Sequence, residues 1–245
     1  IGLGDLVVFT ANSAWMISPG ENPFTPSNAP ARIQEYNGSA AVPPVVVGNI
    51  VLYLQDKCRS VRNMGYVLES DGYRGTDVSL LAGHLFEDHT IVSMALQRSP
   101  YSILWCVRDD GVLLGLTYLP EHEVMAWHRH ETDGEFESVA VISGNGQDDV
   151  YFSGKRTIGG EIKRYVEMLS HRLPENDLKR AVFLDSSLSY HGSVAIDEIS
   201  GLDHLEGKTV NGLVDGFVIK NLKVQSGGLT LPYEAKDICI GLPYR

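Results

Sequence analysis

Ser102-Ile103-Leu104-Trp105-Cys106-Val107-Arg108, then Asp109-Asp110-Gly111, then Val112-Leu113-Leu114-Gly115-Leu116-Thr117-Tyr118-Leu119 are two apolar runs of strand length around an Asp-Gly turn. Runs this short, bounded by turn residues, read as strands, and Asp-Gly tolerates the positive φ that a tight hairpin demands. Pro120 begins the next connection and Glu123 to Glu131 runs back. Thr132-Asp133-Gly134 then feeds a fourth strand from Glu135 to Ile142. The expectation is a four-stranded meander.

After the loop Ser143-Gly144-Asn145-Gly146 the pattern restarts with Asp149 to Thr157, a Gly159-Gly160 turn and Glu161 to Leu169, so that Ser102 to Asp149 is a step of 47 residues. Toward the N-terminus, Asp5 to Thr10 and Asn49 to Leu54 are short apolar strands, and Gly4 and Gly48 before them lie 44 residues apart. Four strands repeating every ~40–50 residues mark propeller blades. The pattern predicts an all-β chain, a partial β-propeller of four-stranded antiparallel blades with little helix. Weak identity between the repeats leaves a β-sandwich open.

One helix is expected, from Thr76 to Phe86. Thr76 would cap it and Val78, Leu81 and Leu85 recur at helical spacing, although Gly83 opposes it. His171 to Asp177, with Pro174, reads as a connector, and Ala181 to Leu184 as a strand. From Gly207 onward short strands punctuated by Asp215-Gly216 and Gly227-Gly228 end in Ile238 to Leu242. Two domains follow: residues 1–196, propeller-like and expected to be a fragment of a longer chain, and residues 197–245, a small β-barrel or sheet. Their boundary is expected near Ile196 to Gly201.

Twenty basic against 31 acidic side chains give a formal charge of -11 over 245 residues, the wrong sign for gripping phosphates. The acid is concentrated between Pro120 and Asp149, where eight acidic residues face the single Arg129. A solvated face is the plain account of that stretch. The three cysteines, Cys58, Cys106 and Cys239, are far apart with no CxxC pair, which argues against a disulfide scaffold and a thiolate zinc site. No apolar run approaches the ~20 residues that cross a bilayer as a helix, so no membrane partner is expected.

His128 and His130 flank Arg129 on a strand, which puts both imidazoles on one face, but a metal site needs a third ligand and none has recognised spacing. A structural or interface pair is the expectation. His84 and His89 are five apart and miss the i, i+4 spacing of helical zinc proteases. Glu135 and Glu137 would imitate a glycosidase pair, and Asp109-Asp110 and Asn145 to Asp149 a calcium loop, yet strand faces and hairpin turns require the same residues. A GxSxG elbow, a Walker loop and a GxGxxG run are all missing from the sequence. The expectation is a protein that is not an enzyme, with no cofactor and no metal. Trp105, Tyr118, Trp127, Phe136, Tyr151 and Phe152 interleave along the strands as core rather than as a base-stacking platform, because the charges near Trp127 are acidic.

Several stretches, taken in order, carry a resemblance: Leu113 to Tyr118, Ala126-Trp127-His128-Arg129-His130, Thr132-Asp133-Gly134, Phe136 to Ile142, Arg156-Thr157-Ile158-Gly159-Gly160 and Arg164-Tyr165-Val166-Glu167. A looser echo follows in Leu205 to Val210 and Gly241-Leu242-Pro243-Tyr244. Together they resemble the tail nozzle, or tail tubular protein B-like, structural proteins of short-tailed phages and prophages. The resemblance implies a virion tail protein, made in the bacterial host cytoplasm. Such a subunit self-associates into a ring, commonly a hexamer, below the portal and adaptor, retains DNA and conducts it outward. It supplies no catalytic residue.

It also gives the acidic stretch a second meaning. Duplex DNA carries one negative charge per ~1.7 Å, and like charges repel within a Debye length of ~8 Å. A channel wall bearing Glu131, Asp133, Glu135 and Glu137 would let DNA pass without sticking. A hydrolase of envelope carbohydrate and a ligand-binding propeller module are the alternatives in function.

Overall fold

The computed structural model describes residues 5–20, 23–144, 146–171 and 177–243. Of the positions singled out above, Gly4, Asn145, Pro174 and Tyr244 lie outside the described residues.

The chain is mostly strand, laid out in small sheets. β1 (Leu6–Phe9), β2 (Ala14–Ile17) and β3 (Ala31–Glu35) form an antiparallel sheet in that order. β4 (Val45–Val47), β5 (Ile50–Leu54), β6 (Val61–Val67) and β7 (Gly72–Asp77) form a four-stranded antiparallel meander. β8 (Ile91–Gln97), β9 (Ile103–Arg108), β10 (Leu113–Leu119) and β11 (Val124–His130) form a second. β12 (Glu135–Ser143), β13 (Asp148–Ile158) and β14 (Glu161–Met168) make a three-stranded sheet in that order. β15 (Leu184–Ser200), β16 (Thr209–Val214), β17 (Phe217–Lys223) and β18 (Gly228–Pro243) form an antiparallel sheet in the order β15-β18-β16-β17. The all-β, partial propeller-like arrangement is as expected. Among the described residues helix is limited to short 3-10 segments.

Internal contacts divide the chain into two compact units, Ile1–His130 with Phe136–Tyr151, and Glu131–Glu135 with Phe152–Arg245. In the first, β5 shows how the sheets stack. Val51 to Leu54 are all buried, and their side chains alternate between two cores. Leu52 and Leu54 pack with Leu104, Cys106, Leu114 and Leu116 of β9 and β10. Val51 and Tyr53 pack with Val7, Ala14 and Met16 of β1 and β2. A strand covered on both faces reads as a continuous apolar run instead of an alternation, which is why Ile50 to Leu54 and Ile103 to Val107 are so legible. Each fully buried leucine contributes roughly 1.5–3 kcal/mol relative to exposure, so the stack is the main source of this unit's stability.

The first meander differs from the expected one by a strand. β9, β10 and β11 occupy the expected segments, but their sheet is completed by β8, and β12 opens the following sheet. The reason lies in Thr132-Asp133-Gly134, which is no tight turn. The Thr132 hydroxyl and the Asp133 amide both donate to the Asp185 carboxylate, so the chain is drawn into a crossover. Sheets consequently start at Val45, Ile91 and Glu135, at steps of about 45 residues.

The expected helix is also corrected. Thr76 lies on β7, with its amide and hydroxyl donating to Asn63 Oδ1, and only Leu80–Leu85 forms a 3-10 segment, broken by non-helical angles at Ala82. Asp77 Oδ1 accepts from the Ser79 amide and hydroxyl, which turns the chain before an α-helix can start. Leu81, expected on the core face, is 98% exposed, while Val78, Ala82 and Phe86 supply the core.

In the second unit Ala181 to Phe183 is not strand, and β15 begins at Leu184. β15 runs on through Ile196 to Ser200, across the expected junction, paired with β18 from Leu184↔Pro243 to Ser200↔Gly228. The C-terminal sheet therefore starts earlier than residue 197, and it is an open four-stranded sheet rather than a barrel. Ile199, Leu202, Leu205, Val210, Val214 and Ile240 are among its buried core.

Candidate functional site

The exposed acidic stretch after β11 runs over a buried arginine. Arg156 on β13 is 4% exposed. Its Nε and one Nη each donate to Glu167 of β14 at 2.6 Å, its other Nη donates to the Asp133 carbonyl at 2.9 Å, and Asp185 lies 3.6 Å away. Burial opposes the guanidinium charge, but Glu167, Asp185 and Asp133 outweigh it and hold the pKa above its ordinary value. Gly154 makes the pair possible, because a Cβ there would stand 3.0 Å from Glu167 Oε1.

Of the four expected site residues, Asp133 pairs with Lys208 at 2.7 Å and Glu135 with Lys155 at 2.8 Å. Glu131 and Glu137 are not free either. Glu131, Asp133 and Glu135 belong to the second unit, whereas Glu137 belongs to the first. Two carboxylates of the stretch are each offset by a lysine, and the Asp133 carbonyl ties the stretch to Arg156. Composition did not point to Arg156, since its partners are scattered over Asp133, Glu167 and Asp185.

In the first unit the two histidines of β11 do share a face. His128 Nδ1 lies 2.7 Å from His130 Nε2, and both rings pack against Trp105 with centroids 5.6 and 5.4 Å away. The Trp105 indole N–H donates to Gln97 Oε1. The two imidazoles bond each other, and burial, then the neighbouring His128, depresses the His130 pKa to about 4. A His130 ring held neutral by its surroundings, bonded to His128 inside an aromatic cluster, is a packing device. Gly115, opposite His128 in the β10–β11 register, leaves the room this ring fills.

A third cluster lies at the β9–β10 turn. His89, Asp109 and Asp110 present ligand atoms within 4.8 Å of one another. These atoms are already engaged: Arg108 holds both Asp110 oxygens, and Thr90 and His89 donate to Asp109. Burial pushes Asp109 up, and its bonds to Thr90 and His89 hold it below the usual carboxylate range. A cation here would have to displace those partners. Asp110 Oδ1 also accepts from the Val112 amide, and Gly111 has φ 78°, as expected of a turn.

Glycosidase chemistry asks for one carboxyl held protonated by an apolar pocket. Among the described residues the carboxylates with resolved shifts, Asp109, Asp110, Asp148 and Asp237, are all shifted down. Two recesses among the described residues are open grooves, one of about 450 Å³ along Glu198 to Ser200 and Gly228 to Thr230, another of about 530 Å³ along Phe9 to Ala11 and Ser39 to Pro44. The chain matches no protein-family model, and no curated protein matches it.

Proposed function

We propose that this chain is a structural protein of a short-tailed phage or prophage tail, one subunit of a homo-oligomeric ring below the portal and adaptor through which DNA is retained and ejected. The observation that carries the reading is the stack in the first unit, where β5 is buried on both faces between neighbouring sheets. Such a stack uses its side chains on one another, the arrangement suited to a rigid wall. The ordered stretches from Leu113 to Glu167 that resemble tail nozzle proteins support the same reading. In this reading the ring is a hexamer, its partners are the portal, adaptor and other tail proteins, and it belongs to the virion.

The acidic stretch would face the passing genome. Lys155 and Lys208 offset the charges of Glu135 and Asp133, which weakens the repulsion such a wall would exert. The test is assembly. Expressed with its neighbouring tail proteins and imaged by electron microscopy, the chain should appear in a ring and cosediment with tails. A protein that stays monomeric in that mixture and is missing from virions contradicts the proposal.

A further inference from the structure

β15 and β17 stand at opposite ends of one sheet, in the order β15-β18-β16-β17, and among the described residues each pairs with a strand on one side only. β16 and β17 meet at Asp215 and Gly216, whose φ values of 48° and 88° are those of a two-residue type I′ hairpin closed by Val214 and Phe217. The closing pair exchanges both hydrogen bonds, so Phe217 and Ile219 bond toward β16, and the Val218 amide and carbonyl face away from it. Phe217 is 70% and Val218 66% exposed on this edge. An edge of this kind is a template for a further strand.

The two edges fit each other. Neighbouring strands of the sheet are antiparallel, so a second copy laid beside β17 in the same orientation presents its β15 antiparallel to it. Both strands carry an irregularity that brings two apolar side chains three residues apart to the same core: Ile219 and Leu222 on β17, Ile196 and Ile199 on β15. Setting Ile219 opposite Ile199 therefore sets Leu222 opposite Ile196, and it brings Lys220 to Glu198. Lys220 and Glu198 are exposed, and neither has an ion-pair partner among the described residues. A shift of one residue either way puts Ile219 opposite Glu198 or Ser200 instead. Like edges do not match, because β17 carries two lysines and no acid, whereas Ile196 to Ser200 carries two acids and no base. We propose that β17 of one copy pairs with the Ile196 to Ser200 end of β15 of the next, held by Lys220 and Glu198. The contact joins two different surfaces head to tail, so it repeats from copy to copy and closes where the rotation allows. It rests on the ring reading above for that closure, and it names the contact that builds the ring.

Sedimentation of the intact chain from about 1 µM to about 1 mM should show assembly beyond a dimer. Lys220→Glu and Glu198→Lys each oppose like charges across the contact and should each weaken assembly at least about tenfold. The double variant, or a one-to-one mixture of the two single variants, should recover it. Cysteines test the register independently. Opposed residues of an antiparallel pair have Cα atoms about 4.5–5.5 Å apart, within disulfide reach. A chain carrying both Lys220→Cys and Glu198→Cys should therefore give a ladder of covalent multimers in mild oxidant. Either substitution alone, and the parent with its Cys58, Cys106 and Cys239, should give none. The proposal is overturned by a parent that remains monomeric, by single charge variants that assemble like the parent, or by single-cysteine chains that cross-link as fast as the double one. A ring formed with the tail proteins that persists unchanged in Lys220→Glu would retain the proposed function and discard this contact. A ladder from a chain that enters no ring and no virion would retain the contact and discard that function.

Discussion

Replacing Gly115 by alanine should unfold the chain at markedly lower temperature, for a reason local to the β10–β11 pair. The new Cβ would sit 2.1 Å from Cε1 of His128, 2.6 Å from Nε2 and 2.9 Å from Nδ1. Ordinary carbon contacts lie at about 3.5–4.0 Å, so the ring must retreat by about 1.5 Å. It has nowhere easy to go. The imidazole is bonded to His130, stands edge-on to Trp105, and Trp105 is itself tied to Gln97. Overpacking of this kind costs about 1–3 kcal/mol, and the broken imidazole hydrogen bond adds about 1 kcal/mol. The sum, about 2–4 kcal/mol, corresponds to a fall in Tm of about 5–15 °C for a chain of this size. Circular dichroism melts of the parent, Gly115→Ala, His128→Ala and the double variant measure it as a cycle. Removing the ring should relieve the clash, so the double variant should be more stable than the two single losses predict, by at least about 1 kcal/mol. Strict additivity, or a Gly115→Ala melt within about 1 °C of the parent, would refute the reasoning.

Arg156→Met should destabilise by about 3–5 kcal/mol in urea titrations, since it leaves Glu167 and Asp185 in a largely covered site without their cation. Arg156→Lys should recover only part of that loss, because one ammonium cannot make the two parallel bonds to Glu167. Acid should weaken the fold before the carboxylates titrate. His130 stays neutral in the fold down to about pH 4 but takes a proton near pH 6.5 when unfolded, so its contribution is full above pH 6.5 and falls away between there and 4. Allowing for partial solvent screening the loss is about 2 kcal/mol, and His130→Gln should flatten stability over that window. Asp148→Ala should cost about 1–3 kcal/mol by urea titration, because its carboxylate accepts from the Arg98 and Ser99 amides and the Ser143 hydroxyl.

How far the sequence could be read depended on what shields each strand. β9, β10 and β13 were placed to within a residue or two because their runs are apolar and bounded by Gly or Asp. β15 was hidden: Asp185-Ser186-Ser187 and His191-Gly192-Ser193 look like loop, and both stretches open breaks in its pairing with β18. The blade assignment slipped by one strand because Asp-Gly at 133–134 carries the same local signal as the turn at 110–111. What separates them is Asp185, more than 50 residues away, which no local pattern contains. The same distance hid the Arg156 network. The acidic cluster was visible as composition, but its lysine partners Lys155 and Lys208 come from the fold. The imidazole pair was legible as a shared face, since period-two geometry needs only one strand, while Gly115 beneath it had no signal of its own.

The two-sided burial of β5 bears on how the chain finds its register. A slip of one residue against β4 and β6 would send Val51 and Tyr53 into the core that holds Leu104 and Leu116, and the leucines into the other. Tyr53 would then lose its hydroxyl bond to Glu35, and an aromatic ring would be wedged among aliphatic side chains. A strand with one solvated face pays for misalignment once, whereas this one is checked from both sides, so the innermost sheet acts as its own proofreader during folding.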